Sequence, residues 1–310
     1  MKKLESKSSL PEQLYPIETA LNNEIAKMSR TKKHPTVNWI NWLYDCDSIK
    51  SAKAGEPQTE LIAQYICQNF DSFSTKFSPL NRFDFAHSKS VPINGFYNIF
   101  NRKSPSQDGI HRNIKLQRDT NQDEKNIARL MRRKSRDNCF AFDTLGQVLN
   151  FEIPLGEKSR AEEISIWFPT MEWASILFST YLELKKADST ESLLRCTLEI
   201  YTYFKTIKRP AKFLADFGVP DNTKIILAPL FFEHSSDMQS NSSQFNELLY
   251  LQDKSNKAAT HWERQLFNLI RKDVSNTFAD PEFNHLTFIP LKDSEMGDIL
   301  SGLKDESLYI

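Results

Sequence analysis

Glycine is scarce in this chain, with 8 among 310 residues. None falls into a G-x-G-x-x-G or G-x-x-x-x-G-K-[ST] pattern, so no glycine-rich phosphate cradle is expected. No G-x-S-x-G elbow occurs either, which speaks against an α/β-hydrolase nucleophile. The four cysteines, Cys46, Cys67, Cys139 and Cys196, form no C-x-x-C pair and read as reduced thiols of a cytoplasmic protein. The six histidines are scattered without His-x₃-His spacing, so a zinc site is not expected. No apolar run reaches 18 residues, and the start, Met1-Lys2-Lys3-Leu4-Glu5-Ser6, has no apolar segment. Neither a membrane span nor a secretory signal is therefore expected. Net charge is also missing, with 40 Lys+Arg against 40 Asp+Glu. That balance excludes binding to nucleic acid or membrane through global charge, but not through a local basic face.

What is present is unevenly distributed. Residues 1–115 read as a mainly helical accessory region. Ile17, Leu21, Ile25 and Met28 recur at helical spacing, as do Leu61, Ile62, Tyr65, Ile66 and Phe70 behind start signals at Pro57 and Thr59. Trp39 and Trp42 read as packing or a docking surface, and the Phe-rich stretch 77–100 as short strands and turns. Residues 101–136 carry eleven basic and four acidic side chains. Part of this stretch is helical, because Ile127, Leu130 and Met131 form a narrow apolar stripe. Arg129, Arg132, Arg133 and Lys134 on that helix are candidate phosphate contacts. The bland alternative is a solvated helix face.

Residues 116–235 read as a mixed sheet flanked by helices, an α/β arrangement. A hairpin is expected over 139–153, a strand over Glu163–Phe168, another over 176–185, a helix from about Ser189 to Ile207, and a nearly all-apolar strand over Lys224–Phe232. The strand–helix–strand step implies a parallel pair. Residues 236–310 read as a helical and strand extension, with Trp262, Leu266, Leu269 and Ile270 on a buried stripe and a strand at Leu286–Leu291. From 279 onward there are seven acids and two lysines. The basic segment is expected to share a face with the chemistry, and the acidic end to lie away from it.

The segment Tyr181-Leu182-Glu183-Leu184-Lys185-Lys186 carries the most information. Strand alternation puts Glu183 and Lys185 on one face. Asp188-Ser189-Thr190-Glu191 fits a capping box for the next helix. On that helix Glu191, Arg195, Glu199 and Tyr203 follow at i+4 spacing as a polar stripe, with Leu193, Cys196 and Ile200 opposite.

The run from the hairpin through Glu183-Leu184-Lys185 to Glu199-Ile200-Tyr201-Thr202-Tyr203 resembles the core of the PD-(D/E)XK nuclease superfamily, with its restriction-endonuclease-like fold. Glu199-x-x-x-Tyr203 is similar to the Gln-x-x-x-Tyr motif of the RecB-like branch, with Glu for Gln. The likeness spans roughly residues 118–232. It implies Mg²⁺- or Mn²⁺-dependent hydrolysis of phosphodiesters, in DNA rather than RNA, with Glu183 as metal ligand and Lys185 as catalytic lysine. Arg195, Glu199 and Tyr203 would support the site. Ser165 stands where the family places an Asp. Either the carboxylate has shifted, with Glu163, Glu152 or Glu124 taking its place, or the site has lost its metal and the domain binds nucleic acid without cutting. A homodimer, or a protein partner for the N-terminal region, also fits such a core. Replacing Glu183 and Lys185 together by Ala is expected to abolish cleavage and leave the fold intact.

Overall fold

The computed structural model describes residues 47–53, 56–71, 123–137, 150–154, 163–173, 176–206, 224–253 and 261–304, with the single positions Thr19 and Phe142. Expectations for the rest of 1–46, for 72–122 and for most of the 139–149 hairpin lie outside the described residues. So do the side chains of 150–183, of Arg132 and of Tyr203.

Along the described residues, a helical turn at Asp47–Lys50 is followed by α1 (Pro57–Gln68), α2 (Asp123–Asp137), β1 (Asn150–Pro154), β2 (Glu163–Trp173), β3 (Ile176–Leu184), α3 (Leu193–Thr206), β4 (Lys224–Phe232), α4 (Ser243–Gln252), α5 (His261–Phe278), β5 (Ile289–Leu291) and α6 (Asp293–Leu303). The strands form one mixed sheet in the order β1-β2-β3-β4-β5. β1 pairs antiparallel with β2, and β2 with β3. β4 runs parallel to β3, and β5 parallel to β4.

Local sequence explains most of these elements. Proline opens α1, where its missing N–H costs nothing, and Thr59, Ile62, Ala63, Tyr65 and Ile66 make one buried face. β4 is central and covered on both sides, so its apolar residues split by alternation. Ile225, Leu227 and Phe231 join a core with residues of α1, α3, α4 and α5. Ala228, Leu230 and Phe232 join a second core with Ile127, Leu130 and Met131 of α2 and Ile299 of α6. The described parts of all three sequence segments therefore share the cores around one sheet.

Three expectations change. The last strand covers only Ile289–Leu291. Helix α3 begins at Leu193 rather than Ser189. Its cap is Ser192, whose Oγ accepts from the Arg195 N–H at 3.1 Å. The residues before it are committed elsewhere, since Glu191 forms a backbone bridge with Lys53. Finally, the basic helix does not share the Lys185 face: α2 packs with Leu184 and Leu230 on one side of the sheet, Lys185 turns to Glu199 of α3 on the other, and the acidic end meets the basic helix. Helix α6 packs on α2, and a Cβ at Gly302 would meet Leu130 Cδ2 at 3.0 Å. The shared apolar stripe, not the charge of either segment, sets that contact.

Candidate active site

The carboxyl end of β3 carries a compact charged cluster. Lys185 follows the strand, and its N–H still donates to Leu230 O at 2.8 Å. Its Nζ lies 2.6 Å from Glu199 Oε2 and 2.7 Å from Glu191 Oε2. Arg195 pairs with the same carboxylates, at 2.8 Å to Glu191 Oε1 and 3.6 Å to Glu199 Oε1. The Lys185 and Glu199 side chains are each only 4% exposed. Glu124 of α2 joins from another element, its Oε1 accepting from the Lys186 N–H at 3.4 Å. Burial pushes the Glu124 carboxyl above its usual range, and Lys185 pulls it back while Glu191 and Glu199 raise it further.

Neighbouring elements hold this arrangement. Arg195 Nη1 donates to Lys50 O at 3.2 Å. Gln244 of α4 donates to Ser189 O at 3.0 Å and Glu191 O at 2.7 Å, fixing the loop before α3. Glu247 accepts from the Leu193 N–H at 3.0 Å, at the N-terminus of α3, where a carboxylate complements the helix dipole.

The sheet register places the remaining predicted residues. Glu183 pairs with Pro229 of β4. Ile166 pairs with Leu182, so one step further Ser165 stands beside Glu183. Ser165 also lies between the Phe151–Ile166 and Ile153–Ile164 pairs, beside Glu152. Glu152 and Glu183 are thus two strands apart, about 10 Å at ordinary strand spacing. Glu163 pairs with Pro154, and the β2–β3 register carried on sets it beside Lys185. Glu199 meets Lys185, and Arg195 joins them through its pairs with Glu199 and Glu191. On α2, Arg129, Arg133 and Lys134 are partly exposed.

Sequence reading missed a second acidic group. Glu60 Oε1 and Oε2 accept from the Trp262 and Glu263 N–H groups at 2.7 and 3.1 Å. Glu263 and Glu247 are buried, and each leaves its Oε1 without a hydrogen bond among the described residues. Burial pushes Glu247 up to about 7. Burial, with Glu247 and Glu60 adding to it, pushes Glu263 up to about 9. The Cys67 thiol is driven to about 12 by burial and then Glu60, which suits packing rather than nucleophilic attack. No family model, curated protein or solved structure matches the chain.

Proposed function

We propose that the protein is a Mg²⁺- or Mn²⁺-dependent nuclease with a restriction-endonuclease-like core, acting on DNA. The observation that carries this reading is the largely buried cluster around Lys185, in which Glu191 and Glu199 meet two cations while Glu124 accepts from the Lys186 N–H. Glu183, at the next position on that strand face, adds a fourth acid. Such an excess in a water-poor site suits a divalent cation with oxygen ligands. The order of elements also supports it: helix, antiparallel β1-β2-β3, helix, parallel β4.

Glu183, with Glu163 and Glu124, would hold the metal. When bound, the metal supplies polarisation of the phosphate and a lower pKa for a water. Lys185 offsets charge on the phosphate oxygens. Arg195 stays paired with Glu191 and Glu199 when Lys185 turns to the substrate. Arg129, Arg132, Arg133 and Lys134 would grip flanking phosphates.

A second reading has its own support. Ser165, not a carboxylate, stands beside Glu183, and Lys185 is engaged by two acids. Both fit a non-cutting module that binds nucleic acid. Incubation with single- and double-stranded DNA and with RNA, in Mg²⁺, Mn²⁺ or EDTA, separates the two. Metal-dependent cutting that falls at least about 100-fold in Glu183→Gln supports the nuclease. Salt-sensitive binding without cutting supports the module, and a gain of cutting in Ser165→Asp would then identify a lapsed site.

A further inference from the structure

We propose that Glu233, His234 and Asp293 bind a divalent cation of the zinc class, at a site separate from Lys185. One ligand atom from each residue lies within 4.8 Å of the others. His234 Nδ1 and Asp293 Oδ1 are 2.5 Å apart. Two donors to one such cation stand about 3 Å apart, so the cation enters with a small opening of that contact. Imidazole with two carboxylates suits zinc, cobalt or manganese better than magnesium.

The three residues are set by separate backbone anchors. Glu233 donates its N–H to Leu291 O at 2.9 Å, His234 bridges Asn241, and Asp293 is the first residue of α6. They cluster just beyond the carboxyl ends of parallel β4 and β5, the edge at which open α/β sheets take their ligands. The His234 and Asp293 side chains are 28% and 49% exposed, so an ion can reach them.

Calorimetric titration of the metal-stripped full chain with ZnCl₂ tests this. One Zn²⁺ equivalent, separate from any taken up beside Glu183, should bind at least about tenfold more weakly in His234→Ala and in Glu233→Gln and keep its affinity in Glu183→Gln, with melting curves verifying each fold. No uptake, unchanged affinity in His234→Ala, or loss only in Glu183→Gln would overturn the site. None of these outcomes depends on whether the protein cuts DNA.

Discussion

Two buried acidic groups lie on neighbouring parts of this molecule and behave differently. Around Lys185, Glu199 of α3 and Glu191 of the loop before it share two cations, and Glu124 of α2 accepts from the Lys186 N–H. Around Glu263, carboxylates from α1, α4 and α5 meet mainly backbone N–H groups at helix starts. Burial costs both groups the hydration of their charge. Glu191 and Glu199 meet side-chain cations, whereas burial pushes Glu247 and Glu263, and in the first group Glu124, towards keeping a proton.

The largest effect should come from Lys185→Met. It leaves Glu199 and Glu191 with less compensation, and a loss of roughly 3–5 kcal/mol in chemical denaturation is expected. That cost runs against the expectation that Lys185→Ala spares the fold. Adding Glu199→Gln to Lys185→Met should recover part of the loss, because it removes the charge left stranded.

Next is Glu263→Gln. A carboxyl whose pKa is raised in the folded state stabilises fully below its unfolded pKa, and that contribution is lost as pH rises through the folded value. Wild-type stability should therefore fall between about pH 5 and 9, through Glu247 near 7 and Glu263 near 9. Glu263→Gln should flatten that fall and gain at least about 1 kcal/mol at pH 8–9 in melts across pH.

Glu124→Gln should change metal-free stability by less than about 1 kcal/mol, because the amide oxygen still accepts from Lys186. It should weaken Mg²⁺ binding in titration. The smallest stability effect belongs to Arg133→Ala, within about 0.5 kcal/mol. Its DNA affinity should drop, with the salt slope reduced by about 1.

Much of the fold was legible in the sequence. The Pro57 start, the α1 face, the double-sided burial of β4 and the parallel step all follow from local periodicity. The capping box at Asp188 misled because Glu191 serves an ion pair with Lys185 and a backbone bridge with distant Lys53. The α2–α6 contact was not legible because the apolar stripes that make it lie far apart along the chain. Glu247, Glu263 and the His234–Asp293 pair had no sequence signal, since their partners lie far along the chain.

By itself the sequence determined which residues share a strand face or helix stripe, such as Leu227 with Phe231 on β4 and Arg195 with Glu199 on α3. Those relations depend on the short repeats of strand and helix. Only the tertiary structure decided that Lys185 meets Glu199, that Glu124 joins them, and that Glu233 and His234 reach Asp293. Such meetings depend on strand order and helix packing, which bring together residues that no local repeat connects.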